Sequence, residues 1–150
     1  MNHAKSCLSI PDVHSRNVHQ ICQNSSQHNA NSYDWFLTSA VGDGVKMWDL
    51  RSAESVNHFD VHINRCLPAK VSFSPDSFYV AVGSEDKSAL VYDLRMNGTI
   101  QKYGVFSDSV TNAQFNPRKS QVRLRILIKR KIYKDLLNKN CVNILLNGYQ

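Results

Sequence analysis

Two segments of this chain spell the same short structure. Gly42-Asp43-Gly44 opens into Val45-Lys46-Met47-Trp48-Asp49-Leu50, and Glu85-Asp86-Lys87-Ser88 opens into Ala89-Leu90-Val91-Tyr92-Asp93-Leu94. Each is a turn followed by a strand that ends on an aromatic–Asp pair. Asp49 and Asp93 lie 44 positions apart. A period of that size constrains the fold more than composition does. Each copy is one supersecondary unit that cannot bury its apolar face alone, so copies must stack. The flanks repeat as well: Phe73-Ser74-Pro75 returns as Phe115-Asn116-Pro117, 42 positions on. Val71/Phe73 and Ala113/Phe115 then share a face within their strands, because alternate residues of a strand point the same way.

Between these landmarks the chain reads as short strands separated by turns. The spacing predicts strands at Val18–Gln23, Trp35–Val41, Val45–Leu50 and, weakly, Ser55–Val61. A second set follows at Ala69–Phe73, Phe78–Gly83, Ala89–Asp93 and Thr99–Val105, and a third opens at Val110–Phe115. Cys7–Ile10 reads as a short strand ended by Pro11-Asp12, and residues 24–33 as a polar surface loop. After Pro117 the pattern breaks. Val122/Leu124/Ile126/Ile128 alternate like a strand, while Leu124/Ile128/Ile132/Leu136 sit at helical spacing. Both readings stay open there.

The Gly-Asp-Gly turn, the Trp-Asp and Tyr-Asp strand ends, Trp35-Phe36-Leu37-Thr38-Ser39-Ala40-Val41, Phe73-Ser74-Pro75 and Gly83-Ser84-Glu85-Asp86 resemble the WD-repeat family. The resemblance covers roughly His14 to Pro117. It implies an all-β fold: a partial β-propeller of about two four-stranded antiparallel blades plus flanking strands. The blades would occupy 14–61 and 62–105, with the first strand of a third at 106–117. Residues 1–13 would hold an outer strand of a preceding blade, and 118–150 would be a basic, non-repeat tail of ambiguous structure.

The same resemblance assigns a structural tetrad to each blade. A His, a Ser or Thr, an Asp and a Trp hydrogen-bond in series, so that each buried polar group finds a partner. In the first unit these roles fall on His14, Ser39, Asp43 and Trp48. In the second they fall on His62, Asp86 and Tyr92, with Val82 at the hydroxyl position, so that network is expected to be incomplete. In the third, Phe106 stands where the His would be.

Charge separates the chain into two parts. Residues 1–117 carry nine Lys/Arg against eleven Asp/Glu, whereas residues 118–150 carry nine against one. The first part reads as an ordinary folded surface. The second offers cations interleaved with Leu and Ile, which would suit nucleic acid or an anionic membrane surface. Only Tyr133 and Tyr149 could stack on bases there, which argues against a single-strand binder. The N-terminus shows no apolar run of the signal-peptide kind, and no apolar run approaches a membrane span, so an intracellular location, cytoplasmic or nuclear, is expected.

No enzyme is expected. Ser39 beside Asp43 lacks a base and an orienting group of its own, and no predicted helix follows Gly42-Asp43-Gly44 to form a phosphate cradle. His14, His19 and Cys22 lie on opposite sides of a strand start and lack a fourth ligand, so no metal or cofactor is called for. Cys7, Cys22, Cys66 and Cys141 contain no Cys-x-x-Cys pair and read as reduced thiols. What the resemblance implies is a non-enzymatic scaffold whose partners are other proteins. Two blades also leave apolar faces uncovered, so further blades or self-association enter as partners. One finer reading concerns Trp48-Asp49-Leu50-Arg51 and Tyr92-Asp93-Leu94-Arg95. This ending resembles that of substrate receptors that dock on the adaptor of a cullin–RING ubiquitin ligase, with Arg51 and Arg95 as the contacts. Its competitor is that both arginines pair with local carboxylates.

Overall fold

Short runs of alternating apolar and polar residues, cut by turns, become eleven strands among the described residues. The computed structural model describes residues 9–24, 34–96, 98–104, 106–115, 121–126 and 143–145. The first sheet holds β1 (Val18–Gln23), β2 (Trp35–Ala40), β3 (Gly44–Asp49) and β4 (Glu54–Phe59). The second holds β5 (Val71–Phe73), β6 (Tyr79–Gly83), β7 (Ala89–Asp93) and β8 (Gly98–Tyr103). The third holds β9 (Val110–Phe115), β10 (Gln121–Ile126) and β11 (Asn143–Leu145). Both four-stranded sheets run in chain order with every neighbour antiparallel. No α-helix occurs among the described residues. In particular, no helix among them is long and apolar enough to cross a membrane.

The repeat extends to irregularities. Register slips between Met47 and Trp48 against β4, and at the matching step between Val91 and Tyr92 against β8. Phe36 opposes Trp48 as Val80 opposes Tyr92, so the two units superpose at 44 positions across these strands.

The core lies between sheets. Leu37, Val45, Met47 and Phe59 of the first sheet pack on Val71, Val80, Val82, Leu90 and Tyr92 of the second. The rings of Phe59 and Tyr92 meet with centroids 4.8 Å apart. The opposite face of the second sheet, Ala81, Ala89 and Val91, packs on Val110, Ala113 and Phe115 of the third. Being covered on both sides, β6 and β7 carry few exposed positions, whereas β1 alternates between exposed and half-buried. On the outer face of the first sheet Phe36 and Trp48 stack at 6.3 Å, and Ile21, opposite Thr38, is 68% exposed.

Side chains also clamp one sheet to the next through backbone groups. The Gln20 amide donates to the Val71 carbonyl and accepts from the Val71 N–H, both at 2.9 Å. Ser72 Oγ donates to the Ala113 carbonyl and accepts from the Phe115 N–H. Two glycines permit close approach. Gly44, at φ +72°, would put a Cβ 2.6 Å from the Phe59 carbonyl oxygen. Gly83 would put one 2.2 Å from that of Val110.

Beyond Pro117, the strand alternative is the one adopted over Gln121–Ile126. Val122 pairs opposite Phe115 and Leu124 opposite Ala113. The edge of β9 offers unpaired N–H and C=O groups, and an alternating segment can satisfy them where a helix cannot. The third sheet therefore has more than its first strand. Ser9 and Ile10 are irregular; the rest of the predicted Cys7–Ile10 strand, and loop residues 25–33, lie outside the described residues.

Candidate functional site

The Trp-Asp strand sits where a polar network runs through the first sheet. Trp48 Nε1–H donates to Thr38 Oγ1 at 2.8 Å. Thr38 Oγ1 lies 2.8 Å from His14 Nε2, and His14 Nδ1 lies 2.7 Å from Asp43 Oδ2. A single proton pattern satisfies all four: indole to hydroxyl, hydroxyl to Nε2, Nδ1–H to carboxylate. The Ser15 N–H adds a second donor to Asp43 Oδ2, and Lys46 Nζ stands 3.7 Å away. The His14 side chain is fully buried, while that of Asp43 is 21% exposed, so the carboxylate is not sealed in the core. Burial pushes the Asp43 carboxyl up, but the Ser15 N–H, His14 and Lys46 outweigh it and hold it below the usual range.

The hydroxyl in this network is not the one expected. Ser39 stands outside it and donates instead to the Ala69 carbonyl at 3.3 Å. The reason is parity. Trp48 opposes Phe36, so the residues of β2 on its face are Phe36, Thr38 and Ala40; Ser39 points to the other side. Register would have identified Thr38, which also falls 44 positions before Val82. We expect Thr38→Val to cost about 1–3 kcal/mol, because it leaves the indole N–H and His14 Nε2 unpaired in the interior. Ser39→Ala should cost about 1 kcal/mol or less, since Ala69 O also receives His19. Urea melts of the two variants decide between them, and equal losses would return the role to Ser39.

In the second sheet the corresponding groups part company. The phenol of Tyr92 stands 3.1 Å from His62 Nδ1 and accepts from the His62 backbone N–H at 3.2 Å. Val82 offers no hydroxyl. Asp86 turns away to Lys102 Nζ and Ser88 Oγ, both at 2.5 Å. Burial pushes the Asp86 carboxyl up, but hydrogen bonds from Lys102, Ser88 and Ser84 bring it down to about 2. Burial lowers the His62 imidazole to about 4 and raises the Tyr92 phenol.

At the opposite ends of these strands the two arginines repeat one another. Arg51 forks onto Asp49 with Nε at 3.3 Å and Nη2 at 3.0 Å, with Asp34 3.5 Å away. Arg95 forks onto Asp93 at 3.1 and 2.9 Å, reaches Tyr79 Oη at 3.2 Å, and lies 4.8 Å from the Phe78 ring centre. Both arginine side chains are more than half exposed, so each is paired locally yet still reachable. The fork onto Arg holds both Asp49 and Asp93 below the usual carboxylate range.

The residues considered as metal ligands disperse. His14 is committed to Thr38 and Asp43, His19 Nε2 to the Ala69 carbonyl, and burial pushes the Cys22 thiol up. Among the described residues no cluster of three or more His, Cys, Asp or Glu could hold a metal ion.

Stacked four-stranded antiparallel sheets with this periodicity are those of partial WD-repeat β-propeller blades. Known proteins agree with that class. The chain is 31% identical to Pre-mRNA-processing factor 17 of Homo sapiens over 101 residues, 65% of this chain and 16% of that protein. It is 26% identical over 86 residues to the WD repeat domain-containing protein 83 homolog of Dictyostelium discoideum, 57% of this chain and 26% of that protein. It is 29% identical over 76 residues to the guanine nucleotide-binding protein subunit beta of Arabidopsis thaliana, 50% and 20% respectively. These are WD-repeat proteins, and the similarity supports a WD-repeat family for this chain. The chain spans a quarter or less of their length in most cases, and about a sixth of the first. No protein-family model matches it.

Proposed function

We propose that this chain is a non-enzymatic protein–protein interaction scaffold and forms part of a larger propeller. The observation that carries this is the repeated rim. At 44-residue spacing, stacked sheets hold an Arg–Asp fork in the same geometry, beside the exposed Leu50 in one unit and Phe78 and Met96 in the other. Apolar surface next to a fixed guanidinium is the composition of interface anchors. The similarity to WD-repeat proteins supports the same reading. The wording of Trp35 to Gly44 and of Gly83 to Asp86 resembles the C-terminal blades of WD repeat-containing protein 27, and we take the chain as a form or fragment of such a propeller, working inside the cell. Its partners are other proteins, with further blades, or another copy, covering the outer face of the first sheet.

A second reading keeps the same rim and names its occupant: the adaptor of a cullin–RING ubiquitin ligase, met by Arg51 and Arg95. A basic-tail reading, nucleic acid or an anionic membrane held by 118–150, is third and would show itself by steep salt dependence. Quantitative affinity capture from cell extract tests all three. The double variant Arg51→Ala/Arg95→Ala should stay folded and lose the rim partner by at least tenfold. Capture unaltered by the double variant overturns the rim, and recovery of no adaptor by the unaltered chain removes the ligase reading. Nothing retained above a charge-matched control overturns the scaffold.

A further inference from the structure

Each of the first two sheets turns one face toward the next sheet, and the same rows of residues make it. In the first sheet Cys22 pairs opposite Leu37 and Leu37 opposite Met47; in the second Ser72 pairs opposite Ala81 and Ala81 opposite Val91. Two residues along, Ser39 pairs opposite Val45 and Gly83 opposite Ala89. Leu37/Ala81, Ser39/Gly83, Val45/Ala89 and Met47/Val91 each lie 44 positions apart. These rows are the seats of the stack. Leu37, Ser39, Val45 and Met47 are at most 3% exposed, and Ala81, Ala89 and Val91 at most 1%. The first seat packs on the second sheet and the second seat on the third.

The third sheet breaks the pattern. Phe115 pairs opposite Val122 as Phe73 pairs opposite Val80, which fixes the match between the sheets. The rows equivalent to the two seats are then Gln114 opposite Arg123, with Asn143 beyond it on β11, and Asn112 opposite Arg125. Arg123 holds the register position of Leu37 and Ala81, and Arg125 that of Ser39 and Gly83. Ser72, which clamps the third sheet through the Ala113 carbonyl and the Phe115 N–H, is matched by an exposed Gln114. Two requirements of a seat are lost together. Close approach needs a small residue at the Gly83 position, where even a Cβ would lie 2.2 Å from the Val110 carbonyl oxygen. Dry packing needs residues that give up nothing on leaving water, whereas a guanidinium covered without a partner costs heavily to desolvate.

We propose that the third sheet is a terminal cap. Its far face stays in water, and another blade or another copy of this chain seats only on the open face of the first sheet, on the side of Ile21 and Phe36. A polar outer face is how stacks of repeats end. The open face of the first sheet has the opposite character. Ile21 pairs opposite Thr38 as Val71 pairs opposite Val82, and Phe36 opposes Trp48 as Val80 opposes Tyr92. Val71 and Val80 are covered by the first sheet, so the positions that match them are the ones a sheet can cover. The stack therefore has a direction. Self-association through a single face stops at a pair, whereas two complementary faces would extend without limit. The proposal goes beyond the interaction-scaffold reading, on which it rests only for what the first sheet would seat.

Sedimentation velocity of the full chain tests the cap. The unaltered chain should form nothing larger than a pair as its concentration rises. Arg123→Leu/Arg125→Gly restores the residue types of Leu37 and Gly83, and should produce longer species that grow with concentration and dissolve on dilution. Ile21→Arg added to that variant should return it to the monomer. Reversible growth beyond a pair in the unaltered chain, or no more association in the double variant than in the unaltered chain, overturns the proposal. Labelling decides the case if the double variant fails to fold. The thiol of Gln114→Cys, timed against the exposed Cys66, should react with iodoacetamide within about twofold of its dilute rate as the chain is concentrated, and any greater slowing overturns the cap. Partner capture is a separate readout. Its failure removes the scaffold and leaves the cap, and a protected thiol in Gln114→Cys removes the cap and leaves the scaffold.

Discussion

Gly83→Ala should cost about 3 kcal/mol or more and separate the second sheet from the third. The argument is steric and does not involve an unusual backbone angle. A Cβ at Gly83 would stand 2.2 Å from the Val110 carbonyl oxygen, 2.9 Å from its carbon and 3.3 Å from the Thr111 carbon. All three are backbone atoms of β9, so no side chain can swing aside. β9 is also tied in place, since the Val110 N–H donates to Ser84 O and the Lys70 N–H to Thr111 O. Relief requires the third sheet to move back as a body, opening Ala81, Ala89 and Val91 against Val110, Ala113 and Phe115. Overpacking of this kind lies at or above the upper end of its usual range. Gly42→Ala is the contrast. Its Cβ would meet only the Arg16 side chain, at 3.5 Å, and its φ of +80° carries the ordinary left-handed strain of about 1–2 kcal/mol. Hydrogen exchange at Val110 and Lys70 should accelerate in Gly83→Ala and not in Gly42→Ala. A loss of less than about 1 kcal/mol in Gly83→Ala would show that the third sheet is only loosely seated.

Why that glycine matters was out of reach of the sequence, although the strand it ends was not. The 44-residue recurrence of an aromatic–Asp strand end, with period-two alternation around it, was enough to predict strands over Val18–Gln23, Trp35–Val41, Val45–Leu50 and Ala89–Asp93 in order, within one residue of those observed. Local signals suffice there because turns and alternation are local properties. Gly83 meets Val110 across a sheet interface, and nothing in the neighbourhood of either residue encodes that distance. The Thr38/Ser39 exchange failed for a related reason. Both residues are hydroxyls on one strand, and spacing along the chain cannot tell the faces apart until β3 fixes which of them shares a side with Trp48. Val122 to Leu136 carried both periods at once, and over Gln121–Ile126 pairing with β9 decided in favour of the strand. The direct contact of the Tyr92 phenol with His62 Nδ1 had no signal either, because in the first sheet the equivalent aromatic is an indole with a hydroxyl partner of its own.

His62 should also make the fold lose about 3 kcal/mol as pH falls from 6.5 to 4. In the unfolded chain the imidazole takes up a proton near its ordinary 6.5; in the folded chain burial delays this to about 4. Between those values the unfolded state binds a proton that the native state refuses. Stability therefore falls with falling pH by about 1.4 kcal/mol per unit, and below about 4 this source is spent. The depressed carboxylates act lower down. Asp86, held at about 2 against an ordinary 3.8, contributes stability above 3.8 and loses it only as pH drops through that lower window. The two effects adjoin without overlapping, so urea melts across the whole range can assign them. His62→Gln, whatever its own cost at neutral pH, should flatten the slope above pH 4 and leave the lower one. Asp86→Asn should keep the slope above pH 4 and reduce the lower one, to which Asp43, Asp49 and Asp93 also contribute. If the unaltered chain were level between 6.5 and 4, or if His62→Gln kept the same slope there, the imidazole would be accepting its proton within the fold. Its Nε2 would then be open to water, and the second sheet would have room beside Tyr92 for a charged ring.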